Sequence, residues 1–165
     1  MGKTLILVRH SRPESRIVSL KDFDRALSKE GISDTGKMAV FFRDSEIRPG
    51  LILTSSARRA FETASLFAEI LNMKEENIRS SGNLYYSTPL TIMNEIAGIP
   101  DETDCLMVVA HNPGISELSS LLSSGRSSYM GNTQVSIFEF DAEKWSYIGK
   151  YKPVSFKSYY KEDLD

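Results

Sequence analysis

The sequence predicts an α/β protein, a single three-layer αβα domain with a mostly parallel central sheet and an antiparallel edge. Short apolar runs of strand length alternate with longer segments of helical period along the chain, which is the pattern of an α/β fold. The length of 165 residues suits one core, and no repeat or low-complexity linker divides it, so residues 1–165 are predicted to form one domain. Two apolar runs near the end flank the turn-like stretch DAEK, which predicts a hairpin at the sheet edge.

Six runs are predicted to be strands because they are short, apolar and bounded by polar or turn-forming residues. The run CLMVVA is continuously apolar, as expected of a central strand that is buried on both faces. In chain order, the predicted strands are Thr4–Val8, Leu51–Thr54, Ile78–Ser80, Cys105–Ala110, Val135–Phe140 and Trp145–Tyr151.

Four helices are predicted from apolar spacings of three and four residues and from capping signals. Pro89 and Pro113 stand where a first helical residue is expected, each after a residue that can cap. In chain order, the predicted helices run from the N-cap Ser28 to Phe42, from Ser55 or Ser56 to about Leu71, from the N-cap Thr88 to the residue before Gly98, and from the N-cap Asn112 onward.

Composition excludes a general affinity for polyanions. The chain has 20 basic and 22 acidic residues and a formal charge of −2, so we expect neither nucleic acid nor a membrane as a partner, and any anion site must be local. Cys105, the only cysteine, lies in an apolar run and predicts a buried, inert thiol in a reducing compartment. The N-terminal run LILV is far shorter than the apolar region of a signal peptide, so we expect a cytoplasmic protein.

Basic side chains follow three of the predicted strands. Ligands of open α/β sheets bind outside the carboxyl ends of the strands. Arg9 and His10 follow the first strand, Arg59 lies in the segment SSARRAFETA after the second, and His111 follows Cys105–Ala110. Both histidines of the chain are therefore predicted to lie at one edge of the sheet, together with arginines.

These residue types suit a phosphoryl group. Guanidinium forks bind the phosphoryl oxygens, one imidazole can attack and the other can donate a hydrogen bond. The three loops contain no carboxylate cluster for Mg²⁺, and two histidines do not complete a zinc site, so we predict no metal and no cofactor. Arg58 is expected to pair with Glu62 on the helix surface, whereas Arg59 lies about 100° further round, nearer the sheet, and is the site candidate.

Three segments, LVRHSRPE, SSARRAFETA and VVAHNPGISEL, resemble in order the signatures of the histidine phosphatase superfamily, which includes the cofactor-dependent phosphoglycerate mutases. The resemblance spans nearly the whole chain and implies a phosphoglycerate mutase-like fold. HNPG and NLYYSTP are most similar to the small SixA-type phosphohistidine phosphatase branch. By this resemblance His10 is the nucleophile that becomes phosphorylated, while Arg9, Arg59 and His111 hold the phosphoryl group.

Two further substrate contacts are expected from the resemblance. The stretch DFDRALSKEG matches an Asp-x-x-Arg motif of the SixA branch, which implies that Arg25 reaches the substrate. Ser11 stands where the superfamily commonly has glycine, so its hydroxyl is expected to add a contact to the phosphate.

The chain differs from the superfamily in lacking a carboxylic acid near the third strand. Phosphoester hydrolases of the superfamily carry a carboxylic acid near the third strand, and residues 77–94 contain none. Without a proton donor, a good leaving group such as imidazole is favoured over an alkoxide. Glu14, Asp24 and Glu117 remain as acids that can enter the site from another direction.

Three functions stay open at this point. The first is a metal-independent phosphatase that forms a phosphohistidine intermediate and acts on phosphohistidine in a protein. The second is a small-molecule phosphomonoesterase of the same superfamily, and the third is a non-hydrolytic module that binds phosphorylated protein.

Overall fold

Six strands form one mixed sheet in the computed structural model, which describes residues 2–164. The strands are β1 (Lys3–Arg9), β2 (Leu51–Ser55), β3 (Ile78–Ser81), β4 (Cys105–Ala110), β5 (Val135–Phe140) and β6 (Ser155–Tyr159). Their order is β3-β2-β4-β1-β5-β6. The first four strands in that order pair in parallel, whereas β5 is antiparallel to β1 and β6 is antiparallel to β5. The predicted mostly parallel sheet with an antiparallel edge is confirmed.

Helices cover both faces of this sheet. They are α1 (Lys29–Asp44), α2 (Arg58–Ile70), α3 (Pro89–Ala97) and α4 (Gly114–Leu122). Alternate residues of a strand point to opposite faces, so Leu5 and Leu7 pack in one buried cluster with α3 and α4, while Ile6 and Val8 pack in a second with α1 and α2. Each of these fully buried side chains contributes about 1.5–3 kcal/mol of burial free energy. The three predicted layers are present.

Two predicted helix starts are confirmed by their caps. Ser28 Oγ accepts a hydrogen bond from Gly31 N at 3.0 Å, and Thr88 Oγ1 accepts one from Thr91 N at 3.2 Å. Pro89 is the first residue of α3, where its missing N–H leaves no bond unmade.

The predicted strand Trp145–Tyr151 is wrong. Trp145 begins a short 3-10 helix, and β6 forms the sheet edge instead. The indole of Trp145 is fully buried, and its N–H donates to Thr103 O at 2.8 Å, while its backbone N–H donates to Asp101 Oδ1 at 3.0 Å. Burial of one large aromatic side chain therefore overrides a local strand preference.

Two other predicted helix starts are also wrong. Strand β2 continues through Ser55, so α2 begins at Arg58 instead of at Ser55 or Ser56. Helix α4 begins at Gly114 after Pro113. Asn112 does not cap it, because its side-chain amide donates to Met130 O at 2.8 Å and its oxygen accepts from Ser116 Oγ.

The single thiol is unreactive by its environment. Burial first, and then the charge of Asp104, raises the pKa of Cys105 to about 12, so the thiol stays protonated at neutral pH. Along residues 2–164, each helix is too short or too polar to cross a membrane.

Candidate active site

Strands β1 and β4 bring the two histidines together. They are parallel neighbours in which Arg9 pairs with Ala110, and the backbone N–H of His10 donates to Ala110 O at 3.1 Å. Because each strand ends at the same edge, His10 and His111 leave it side by side, with ring centroids 4.9 Å apart.

A cleft of about 380 Å³ lies at this edge of the sheet. Five of the six residues that the sequence singled out line it, namely Arg9, His10, Arg25, Arg59 and His111. Its guanidinium groups suit an anion such as phosphate.

Ser11 is the exception. Its side chain is fully buried, and its hydroxyl donates to Gly31 O at 2.9 Å and lies 2.6 Å from Thr133 Oγ1. The structure thus turns Ser11 toward α1 and does not bring it into the cleft. Its hydroxyl connects β1 to neighbouring segments, so the expected phosphate contact is not made by this conformation.

The ring of His10 is oriented as a nucleophile requires. Its Nδ1 lies 2.7 Å from Ser11 O. A carbonyl accepts but never donates, so Nδ1 carries the proton and Nε2 is unprotonated. On the Nε2 side, Arg59 Nε donates to this atom at 3.4 Å.

The pKa of His10 lies well below its ordinary value of 6.5. Burial is the main cause, followed by His111, and the charges of Arg59 and Arg9 act in the same direction, against the hydrogen bond to Ser11. The imidazole is therefore neutral at pH 7, which is the form that attacks an electrophile.

His111 is held through one ring nitrogen and leaves the other unpaired. Its Nε2 lies 2.8 Å from Ser55 Oγ, which already accepts from Ala57 N at 3.2 Å. A serine hydroxyl can donate to or accept from an imidazole nitrogen, and donation by Ser55 to Nε2 places the ring proton of His111 on Nδ1. Burial, then Arg59 and then Arg9 lower the pKa of His111 to about 3 against the opposing charge of Asp22. Among residues 2–164, no protein group pairs with this buried Nδ1.

Arg9 also has an unpaired buried nitrogen. Its Nη1 donates to Met130 O at 3.2 Å, while its buried Nε lacks a partner among residues 2–164. Buried polar groups are nearly always paired, and Arg9 and His111 both line the cleft, so their unpaired nitrogens indicate a site for an external group.

Arg59 lines the cleft and Arg58 lies on the protein surface, as predicted. Arg59 is 1% exposed, and its Nη1 and Nη2 donate to the backbone oxygen and the carboxylate of Asp22 at 2.8 and 3.0 Å. Arg58 is exposed, and its Nε lies 3.3 Å from Glu62 Oε2. The helical rotation between neighbouring residues accounts for the difference.

Asp22 is a site residue that sequence reasoning missed. Its Oδ2 accepts from Arg59 and from the hydroxyls of Tyr85 and Tyr86, at 2.8 and 3.0 Å for the tyrosines. Its Oδ1 accepts from Arg25 Nη2 at 2.8 Å. The three-residue spacing of Asp22 and Arg25 in the DFDRALSKEG stretch was the available signal for this pair.

The carboxyl group of Asp22 is ionised. Burial alone raises its pKa, but the hydrogen bonds from Tyr85 and Tyr86 and the charge and hydrogen bond of Arg59 outweigh this and bring the pKa well below its ordinary value. Asp22 therefore positions arginines at neutral pH and holds no proton to donate.

The alternative acids named from the sequence do not reach the site. Glu14, Asp24 and Glu117 are exposed, and none of them lines the cleft. Likewise, no group of three or more His, Cys, Asp or Glu side chains is placed to hold a metal ion within residues 2–164.

Comparison with known sequences gives relatives without an assigned function. No family model matches the chain. An uncharacterized chloroplastic protein of Arabidopsis thaliana is 33% identical over 132 residues, a match that covers 74% of this chain and 60% of the relative. The chain thus spans less than two thirds of that relative's length.

Comparison with solved structures identifies the fold. A protein of Nakamurella multipartitia assigned as the phosphohistidine phosphatase SixA superposes with a TM-score of 0.82 at 18% identity, covering 97% of this chain and 96% of that one. The protein histidine phosphatase SixA in complex with tungstate gives 0.81 at 16% identity, covering 98% and 99%. A phosphoglycerate mutase of Bacillus anthracis gives 0.68 at 16% identity, covering 91% and 97%. The chain has the phosphoglycerate mutase-like fold of the SixA histidine phosphatases, as its three sequence motifs imply.

Proposed function

We propose that this protein belongs to the histidine phosphatases and hydrolyses phosphohistidine in a partner protein, through a phosphohistidine intermediate on His10 and without a metal or cofactor. The observation that carries the proposal is the grouping, in the residues that line one cleft, of the unprotonated Nε2 of His10 with two unpaired buried nitrogens, on Arg9 and His111. A nucleophile beside unpaired donors suits a substrate that is an electrophilic anion.

In the first step, His10 Nε2 attacks phosphorus. The second ring nitrogen of the substrate's imidazole is first protonated by solvent; a new N–P bond to His10 then forms, the bond from phosphorus to the substrate's nitrogen breaks, and the electron pair of that bond leaves with a neutral imidazole. Arg9 Nε and His111 Nδ1 donate to the phosphoryl oxygens, and Arg59 Nε moves from His10 Nε2 to the same oxygens. The hydrogen bond from Nδ1 to Ser11 O stabilises the positive charge that develops on the His10 ring.

In the second step, water attacks the phosphoryl group on His10. The N–P bond breaks, the neutral imidazole of His10 is restored, and inorganic phosphate leaves. Both steps pass through charge on the equatorial oxygens, so the same three donors serve each of them.

Within residues 2–164, no Asp or Glu lines the cleft, which supports phosphohistidine over an alkyl phosphate as the substrate. Asp22 is ionised, and residues 77–94 contain no carboxyl group. A positioned acid is worth about 10²- to 10⁴-fold when a poor leaving group must be protonated. An imidazole leaves without that help, whereas an alkoxide does not.

The partner and the compartment belong to the same proposal. The name of the tungstate-bound structural neighbour, protein histidine phosphatase SixA, supports a phosphorylated protein as the substrate. The protonated Cys105 thiol suits a reducing compartment, and we propose the cytoplasm.

Trapping the intermediate tests the reaction. The protein is mixed with a ³²P-phosphohistidine protein, quenched in alkali within milliseconds, and the label is located by peptide mapping. We expect alkali-stable, acid-labile label on the peptide that contains His10, followed by release of phosphate. His10→Ala should abolish both, while Arg58→Ala, which changes a neighbour of Arg59 outside the cleft, should retain them.

The outcome also separates the other two candidate functions. Binding of the phosphoprotein without phosphate release would identify a non-hydrolytic module. Faster turnover of small phosphate esters than of phosphohistidine protein in a direct competition would identify a small-molecule phosphomonoesterase.

A further inference from the structure

Two exposed tyrosines stand at the mouth of the cleft. Tyr86 is 51% exposed and Tyr129 is 67% exposed, and both line the cavity that contains His10. Tyrosine at such positions presents a large flat apolar face to solvent, which is the kind of surface that ligands cover.

The ring of Tyr86 is held in place. Its hydroxyl donates to Asp22 Oδ2 at 3.0 Å and accepts from Arg59 Nη2 at 3.1 Å. Its ring packs against His111, with centroids 5.3 Å apart and planes inclined by 38°. Its backbone has a φ of 48°, a left-handed conformation that is uncommon for a bulky residue and recurs at ligand sites. Tyr86 is therefore oriented before any ligand binds.

Each of the two tyrosines packs beside an arginine of the proposed phosphate site. The guanidinium carbon of Arg9 lies 5.5 Å from the centroid of Tyr129, and that of Arg59 lies 5.8 Å from the centroid of Tyr86. The aromatic rings therefore adjoin the position of the phosphoryl group itself.

The direction of the reaction places the leaving group among these rings. His10 is 5% exposed and belongs to the buried part of the cleft lining. In an in-line displacement the leaving group departs opposite the attacking nitrogen, hence toward the open mouth. Of the residues that line the cleft, Tyr86, Tyr129 and Pro113 are the exposed ones, and only the two tyrosines present an aromatic face.

From this geometry we infer that Tyr86 and Tyr129 form a subsite for a flat aromatic leaving group, the imidazole ring of phosphohistidine. The inference rests on the proposed function and goes beyond it, because it assigns substrate selection to two residues outside the phosphate contacts. Stacking on the tyrosine faces stabilises the departing ring, and a leaving group without a ring gains nothing from it.

Two phosphoramidates that differ in the ring test this inference. Phosphoimidazole and phosphoramidate both release phosphate from a P–N bond, but only the first has an aromatic leaving group. The measured quantity is the ratio of kcat/KM for phosphoimidazole to that for phosphoramidate. Comparing this ratio between wild type and variants cancels the difference in intrinsic reactivity of the two compounds.

We expect Tyr86→Leu to lower the ratio about three- to tenfold, as loss of an aromatic pair does, and Tyr86→Leu combined with Tyr129→Leu to lower it further. Tyr86→Phe keeps the ring and loses only the hydroxyl bonds, so its ratio should stay within about twofold of wild type. Tyr151 is 53% exposed and lies outside the cleft, and Tyr151→Leu is the matched control that should leave the ratio unchanged.

The subsite would be overturned if the ratio were unchanged in Tyr86→Leu and in the double variant, including the case in which kcat/KM falls equally for both substrates. A fall in Tyr86→Phe as large as in Tyr86→Leu would show that the hydroxyl bonds matter and the ring does not, and would overturn it too. If the wild type released phosphate from neither compound, the proposed function itself would fail.

Discussion

Removing the guanidinium of Arg59 should be far more damaging than removing that of its neighbour. Arg59 is 1% exposed and lies between Asp22 and His10, whereas Arg58 extends from the same helix into solvent. We expect Arg59→Ala to lower kcat/KM for phosphoimidazole by about 10²- to 10³-fold, as loss of one preorganised donor does. Arg58→Ala should change it by less than about twofold, because an exposed ion pair contributes little.

The expected fall in kcat/KM for Arg59→Ala follows from the contacts that Arg59 makes. Its two Nη atoms are fixed by Asp22, which leaves Nε directed at His10 Nε2 from 3.4 Å. One oriented donor is therefore lost at the reacting nitrogen, while Arg9 and His111 remain. Arg59→Lys keeps the charge without the rigid fork, so it should recover only a minor part of the loss.

The assay is steady-state release of phosphate, with urea unfolding of each variant to show that the fold persists. Single-turnover labelling of His10 should fall in parallel with kcat/KM, because the donor acts in the phosphorylation step. Equal losses for the two alanine variants, or a larger loss for Arg58→Ala, would refute the assigned orientation of α2.

Three further predictions follow from the site. The pKa values of His10 and His111 are lowered from 6.5, that of His111 to about 3. Their contribution to the free energy of unfolding is therefore fully present above about pH 6.5 and is lost as the pH falls toward 3. Urea unfolding should show a lower free energy of unfolding at pH 5 than at pH 7, and His111→Asn should make this difference smaller. First-step rates should fall steeply from phosphoimidazole through nitrophenyl phosphate to glycerol phosphate; equal rates would require a positioned acid. Activity should survive EDTA, and a loss that Mg²⁺ or Zn²⁺ restores would contradict the proposed reaction without a metal.

The sequence determined the parts of this protein that depend on neighbouring residues. Apolar period and run length located five of the six strands, and local caps located the starts of α1 and α3 at Ser28 and Thr88. Parallel strands end at one edge, so the positions of Arg9, His10 and His111 directly after β1 and β4 sufficed to predict their meeting. The inward rotation of Arg59 followed from helix geometry alone.

Tertiary structure decided what depends on residues distant in the chain. Asp22 became part of the site through hydroxyls of Tyr85 and Tyr86, 63 and 64 residues away. The hydroxyl of Ser11 does not face the cleft, because it contacts Gly31 O and Thr133 Oγ1. Trp145 begins a 3-10 helix in place of a predicted strand, because its side chain is buried. In each case the position of a side chain depends on partners that only folding brings close to it. Buried polar groups must be paired and large apolar surfaces must be removed from water, and no local sequence pattern shows where the partners are.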